Sequence, residues 1–404
     1  MNRSEPILAV LRDLFPVACH ERVFPVGGCV RDLLLKREIR DIDLVAAISD
    51  DLLRALRFRP VTGKTTEPIW FRHDAELGVI EVTQLSAGAD LGDDLGRRDF
   101  TINALAATLR GDLIDPLRGR DDLEHGILRA CSPHVFRDDP LRIFRAFRFE
   151  AEGWRMEAAT EALVRERDWS EDLRAIPVER FSREMCTALA APEPARFFRL
   201  MLGFAVGAEF LPEIFMMTKV PAGPPEHHPE GDLFTHSAQV LERIAAADSG
   251  QLSRFSGFFH DIGKLATPPE CYPRHHGHDE AGFVRAREFC TRLRLPASYR
   301  TTLSRICRLH GTANRWAELR PATRVRMAGE AVKAGITAIL PAVSAADTND
   351  GRGMPGWDDA VRVAGLTTAE LGIDPERLSA VPEDQRASFI LHRRVEMLRS
   401  LARG

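Results

Sequence analysis

Asp41-Ile42-Asp43 places two carboxylates two residues apart, immediately before the apolar pair Leu44-Val45. In a strand, residues i and i+2 project from the same face, so this spacing predicts a strand that aims both acids at one point. Two such charges repel unless a cation lies between them. Hard oxygen donors on a short baseline suit Mg²⁺, which keeps some waters and takes further ligands from substrate phosphates. A second apolar run, GVIEVTQL, carries Glu81 between apolar neighbours and offers a third carboxylate. Three such groups could hold two ions, one activating a 3′-hydroxyl and the other neutralising a leaving pyrophosphate. Upstream, a β-type run from Val23 to Val26 meets Gly27 and Gly28 before the helix-like CVRDLLL. That turn lets backbone approach a phosphate closely and points unpaired helix N–H groups at it.

The other chemically rich residues are histidines. His260-Asp261 lies in FSGFFHDIGKLATPPE, with His236 upstream in DLFTHSAQVL and Asp347 downstream in SAADTND, giving the order H…HD…D. Imidazole and carboxylate ligands of this kind suit a divalent transition metal (Ni²⁺, Mn²⁺ or Co²⁺) or Mg²⁺, with positions left for water and phosphate. His275, His276 and His278 of YPRHHGHDEAG, with His310 further on, offer more ligands or phosphate donors. Lys264, about one turn beyond His260, is placed to balance phosphate charge.

The elements that must position these residues divide into three textures. Residues 1–125 alternate short apolar runs with Gly, Pro and Asp, as in VFPVGGCV, LGVIEVTQL and GDLIDP, and predict an α/β (α+β) head with a small mixed sheet. From Pro140 to about Val220, apolar residues recur every three or four positions, which predicts an all-α neck across 126–220. VPAGPPEHHPEG reads as a linker or ordered loop, and 221–404 reads as a second helical domain carrying most of the histidines. At 404 residues, two or three domains can each bury a core. No run of about 18 apolar residues occurs, so a membrane span is not expected, and the charged start does not fit a secretory signal. Seven scattered cysteines without a CxxC pair argue for a reducing, cytoplasmic setting and against a thiolate zinc site. A net charge of −4 excludes a uniformly basic coat but not a local basic face. Only five of the 55 cationic residues are lysines, and arginine's planar fork suits phosphate and base edges.

VGGCVRDLLL with DIDLVA resembles the nucleotidyltransferase head of class II tRNA nucleotidyltransferases (CCA-adding enzymes) and bacterial poly(A) polymerases. DDLGRRDFTINALA is similar to that family's second conserved segment, GDLIDPLRGRDDLEHGILRA to its third and DDPLRIFRAFRFEAE to its fourth, in the family's order across about the first 200 residues. The resemblance implies that Asp41 and Asp43 are the catalytic metal-binding pair and that Gly27 and Gly28 contact a triphosphate. Arg31, beside Asp32, would clamp phosphate, and Arg98, Asp99 and Asn103 would hold the nucleotide's ribose or phosphates. Asp139 and Arg142 would read the Watson–Crick edge of the incoming base. A carboxylate accepts from the amino groups of C and A, and a guanidinium donates to ring acceptors. At i and i+3 on a helix the two would share one face, which Arg145 and Arg148 would continue towards phosphate. The histidine region is similar to the HD phosphohydrolase domain fused to some CCA-adding enzymes, associated with hydrolysis of 2′,3′-cyclic and 2′-phosphorylated ends.

Two departures stand out. Asp138 occupies the place of the family's usual Glu. The segment between Glu81 and Arg98, only VTQLSAGADLGDDLGR, replaces a longer basic loop associated with switching from C to A, and Gln84-Leu85 stands where an arginine is often found. The expected activity is therefore addition of C and/or A to a tRNA 3′ end from CTP and ATP, with CC-only addition and poly(A) synthesis as alternatives. An HD hydrolase with an inactive head and a non-catalytic tRNA-binding protein are the rivals of other classes. Mg²⁺ in the head, a divalent metal in the HD domain and a tRNA acceptor end are the expected partners, and a homodimer is one assembly the reading allows.

Overall fold

The computed structural model describes residues 4–401 apart from 40, 62–67, 86, 87, 89, 248, 349 and 352. The chain divides into two compact units, Met1–Trp169 and Ser170–Gly404, with the boundary inside the region read as a neck.

The first unit is built on a five-stranded sheet. Its strands are β1 (Val23–Pro25), β2 (Asp41–Ala46), β3 (Arg59–Val61), β4 (Ile69–Asp74) and β5 (Gly78–Gln84), in the order β1-β2-β5-β4-β3. Only β2 and β5 run parallel; the other neighbours are antiparallel. Alternation decides which side of β2 is buried. Ile42, Leu44 and Ala46 join Ile80 and Val82 of β5 and Trp70 of β4 in one core with Leu11, Phe15 and Val30. On the other side, Val45 packs with Val26, Leu95, Ala104 and Ala106. Asp41 and Asp43 share that second side at the end of the strand where packing stops. The small mixed sheet expected from the sequence is present.

Beyond the sheet, the helix Leu141–Ala151 buries Leu141, Phe144, Phe147 and Phe149, and Phe149 meets Phe100 edge-on at 5.7 Å between ring centroids. The periodicity from Pro140 onward overlooks one feature, a two-residue strand at Arg155–Met156 paired parallel with Ile127–Leu128.

In the second unit all named elements are helices. Phenylalanines knit it together: Phe198 stacks on Phe258 at 4.1 Å, and Phe259 meets Phe289 at 4.7 Å. The segment read as a linker or loop is an ordered loop, closed where Pro221 bridges Asp232 and Ala222 N–H donates to the Gly231 carbonyl. Asp232 then caps the helix Leu233–Ala246 by accepting from Thr235 N–H at 2.9 Å. No described helix is long and apolar enough to cross a membrane.

Candidate active sites

The head site begins with backbone register. Parallel pairing sets Asp43 directly beside Glu81, and Asp41 beside Val79, so the three acids line one face of β2 and β5. The glycine turn is fastened to the same place, because Val26 N–H donates to the Asp43 carbonyl at 2.9 Å and Gly27 N–H to the Leu105 carbonyl at 2.9 Å. Gly27 has φ +71°, and a Cβ there would lie 2.7 Å from Arg98 Nη1. The position therefore excludes a side chain both by backbone conformation and by the guanidinium lying against it. Gly28 opens the helix Gly28–Leu34, with the Arg31 guanidinium close by.

Negative charge is disfavoured on this face. Burial raises the Asp43 carboxyl above its ordinary range, Arg98 opposes that, and the charge of Asp41 adds to it. Burial likewise raises Glu81, reinforced by Asp43 and Asp41. The three acids do not, however, draw their oxygens into one cluster. Among the described residues, the groups of three or more donors lying within 4.8 Å of one another are all in the second unit. Asp41 and Asp43 share the same face of β2, and Glu81 lies alongside Asp43 in register.

Around the acids runs a chain of fixed polar groups. Arg31 donates to Asn103 Oδ1 (2.6 Å) and pairs with Asp32 (3.0 Å), and Asn103 donates to Asp99 Oδ1 (3.0 Å). Asp99 is buried and takes Arg145 on its other oxygen at 2.6 Å. Burial raises Asp99, but Arg145 and the Asn103 amide outweigh this and hold it below its ordinary range. Asp99 and Arg145 therefore lock the helix Leu141–Ala151 to the RRD segment. Arg98 pairs with Asp94 at 3.1 Å.

The fourth segment departs from expectation in two ways. Asp139 is not on a helix with Arg142: its φ of −150° and ψ of 100° are extended. Pro140 explains this, since the residue before proline is driven out of the helical region. The Asp139 carboxylate instead accepts from Leu141 N–H at 3.2 Å, and Arg142 donates to the Arg97 carbonyl at 2.8 Å. Arg148, placed with the phosphate-facing arginines by spacing, is paired with Glu152 and lies over the Phe149 ring at 4.1 Å. Of the short segment after Glu81, residues 86, 87 and 89 lie outside the described residues.

The second site gathers side chains from separate helical elements. His236 lies on Leu233–Ala246, His260 and Asp261 just after Gln251–Phe259, and Asp347 on Ile339–Thr348. His236 Nε2 is 3.0 Å from Asp347 Oδ1 and 3.8 Å from Asp261 Oδ2; His260 Nε2 is 3.4 Å and 3.2 Å from the same two oxygens. His278 and His310 bring their Nε2 atoms to 3.4 and 3.2 Å from Asp261 Oδ1. Asp261 thus presents one oxygen to each of two adjoining donor sets. His236 Nε2, His260 Nε2 and Asp261 Oδ1 are buried without a hydrogen-bond partner, a condition that a bound divalent ion would relieve. Burial would lower His260, but the charges of Asp261 and Asp347 push it up to about 10. Burial raises Asp261, yet His260 and Lys264 hold it well below its ordinary range.

Other expected members behave differently. Lys264 is buried and donates to Asp261 Oδ2 (2.6 Å) and the Ala222 carbonyl (2.7 Å), so its charge is spent on the ligand rather than aimed outward. His276 is exposed and belongs to none of the donor groups, while the ring of His275 is tied to Thr267 and the Pro221 carbonyl. Asn314 and Glu230 were not singled out by motif reading. Asn314 donates to Asp347 Oδ2 at 2.6 Å; its only sequence signal is lying four residues beyond His310 on the same helix face.

Comparison with known proteins agrees with this layout. The Poly A polymerase head domain family matches residues 62–129. The multifunctional CCA protein of Methylococcus capsulatus is 36% identical over 361 residues, covering 84% of this chain and 83% of that protein. That of Halorhodospira halophila is 35% identical over 322 residues, covering 75% and 77%. Among solved structures, a CCA-adding enzyme with CTP aligns over 97% of this chain and 91% of that one, at 21% identity and a TM-score of 0.64. The Thermotoga maritima CCA-adding enzyme complexed with tRNA aligns over 99% and 97%, at 22% identity and a TM-score of 0.64. A carboxylate-bearing mixed sheet at a glycine turn, followed by a helical body, defines a nucleotidyltransferase. More particularly, the chain belongs to the family of the multifunctional CCA proteins.

Two outcomes follow from the head geometry. Asp43→Asn removes a buried charge whose carboxyl is raised in the folded state; such a group weakens the fold once ionised, so the variant should melt above wild type at pH 7 without Mg²⁺. That margin should shrink as pH falls from above the ordinary carboxylate range, through the raised carboxyl of Asp43, and be gone below that range; Mg²⁺ should stabilise wild type but not the variant, as scanning calorimetry would record. Gly27→Ala should cost about 1–3 kcal/mol in urea unfolding and raise the nucleotide KM, because the methyl displaces Arg98.

Proposed function

We propose that this protein matures tRNA 3′ ends, with a head that adds C and A from CTP and ATP and a body that hydrolyses phosphate esters. The observation that carries the transferase reading is the shared face of Asp41, Asp43 and Glu81 beside the Gly27 turn. The three proposed regions are a catalytic head (1–125), a neck (126–220) and an HD domain (221–404).

In the head, Asp41 and Asp43 would hold Mg²⁺, which when bound supplies charge neutralisation and a more acidic 3′-hydroxyl. The chain's own residues do the positioning. The Gly27–Gly28 turn and Arg98 accommodate the triphosphate, and Arg31 and Asn103 flank it. Asp99 anchors Arg145, and the resemblance assigns Asp139 and Arg142 to the incoming base, although here Asp139 accepts from Leu141 N–H and Arg142 donates to the Arg97 carbonyl. Arginines such as these grip an RNA end through phosphate and shape. In the body, His236, His260, Asp261 and Asp347 would hold a divalent ion, with His278 and His310 serving the adjoining set on Asp261. Such an ion supplies a nucleophilic water for 2′,3′-cyclic or 2′-phosphorylated ends. All seven cysteines are free, which supports a cytoplasmic setting. A second reading, addition of CC only, is favoured by the shortness of the segment between Glu81 and Arg98.

Extension of tRNA ending in the discriminator or in CC, with CTP alone, ATP alone and both, separates these activities. CTP followed by a single A supports CCA addition, CTP alone supports CC addition, and ATP-only extension past one residue would establish a poly(A) polymerase. Replacing both Asp41 and Asp43 by Ala should abolish addition, a loss of at least about 10²–10³-fold, with hydrolysis retained. His260→Ala should do the reverse. Unchanged addition in the double variant would leave only the hydrolase.

A further inference from the structure

The imidazoles around Asp261 are held by the same device, with one exception. His260, His278 and His310 each tie Nδ1 back to a main-chain carbonyl three or four residues earlier: Gly257 at 2.8 Å, His275 at 2.7 Å, and Cys307 and Ile306 at 3.0 and 3.1 Å. That tether turns Nε2 towards the carboxylates. His236 has a side-chain partner instead. Its Nδ1 lies 2.7 Å from Glu230 Oε1, and the same oxygen is 2.9 Å from His228 Nδ1. The His228 and His236 rings meet edge-on at 5.0 Å. His228 is itself fixed, since its ring packs so closely on Gly223 that a Cβ there would lie 2.3 Å from Cδ2.

We propose that Glu230, braced by His228, is a positioning residue for the body's metal site: it holds the proton of His236 on Nδ1 and leaves the Nε2 lone pair facing Asp261 and Asp347. This rests on the reading of His236, His260, Asp261 and Asp347 as metal ligands. An ionised carboxylate only accepts hydrogen bonds, so an imidazole at 2.7 Å from it must donate from Nδ1. The buried, partnerless Nε2 of His236 is the complementary observation. A carboxylate on the far nitrogen also makes the ring a stronger donor to a cation than a carbonyl does. The Pro-, Gly- and His-rich loop between Val220 and Asp232, which carries none of His236, His260, Asp261 and Asp347 but brings His228 and Glu230 within 4.8 Å of the His236 ring nitrogen, thereby becomes part of the metal site. Its ends are pinned to the helix Leu233–Ala246, and Ala222 takes the Lys264 ammonium.

The test is titration of Co²⁺ into metal-stripped full-length protein, read as affinity and as the visible d–d absorption of the bound ion. Wild type should bind and His260→Ala should not. Glu230→Ala should weaken binding about 10–100-fold, the range for loss of such a partner, and alter the band shape. Glu230→Gln, isosteric and still able to accept from Nδ1, should fall between. Melting of the metal-free variants at the wild-type temperature would show that the change is not one of folding. Equal affinity and identical spectra for wild type and both Glu230 variants, with His260→Ala still defective, would overturn the positioning role while sparing the ligand set. Absence of Co²⁺ binding in wild type would remove the ligand set, and the role of Glu230 with it.

Discussion

The parallel pairing of β2 with β5 is the constraint on which the head depends. It is the parallel contact of the five-stranded sheet among the described residues, and it pairs Asp43 with Glu81 in register. The register is set from behind, where Ile42, Leu44, Ile80 and Val82 are buried in one core. A slip by one residue would carry the acids into that core and the aliphatic side chains out of it. Hydrophobic packing on one face thus holds acids on the other, where burial first and the neighbouring carboxylates second raise Asp43 and Glu81 above their ordinary range. The nearby guanidiniums are paired with other acids, Arg98 with Asp94, Arg145 with Asp99 and Arg31 with Asp32, yet Arg98 and Arg145 still partly offset the burial of Asp43.

The body solves the same problem by another route. Its donors come from elements far apart in sequence, so no strand register can align them. Each ring is instead aimed locally, by a tether on Nδ1, and the convergence of Nε2 atoms on Asp261 follows from helix packing. Oxygen donors in the head and mixed imidazole–carboxylate donors in the body suit different cations.

Much of this was legible in the residues themselves. The period-two spacing of Asp41 and Asp43 and the glycine pair after an apolar strand encode local geometry, whereas the H…HD…D order names donors that only helix packing brings together. What could not be read depends on contacts between distant segments. Nothing local distinguishes the exposed His276 from His278, two residues on, which reaches Asp261. The pairing of Arg145 with Asp99 spans 46 positions. Pro140 did carry a local warning: it predicts the extended backbone at Asp139, against the helical face drawn from i, i+3 spacing. Glu230 lies only six residues before His236, but its role shows only once the loop between them folds back.

The central claim is that Asp41 and Asp43 grip a divalent ion over a triphosphate lying on the Gly27–Gly28 turn. The most direct measurement is anomalous X-ray scattering from crystals grown with Mn²⁺ and a non-hydrolysable CTP analogue. A manganese peak within coordination distance of oxygens from both aspartates, with the triphosphate against the turn, is the expected result. Ordered nucleotide with no manganese at that pair, or manganese confined to the histidine cluster, would contradict it.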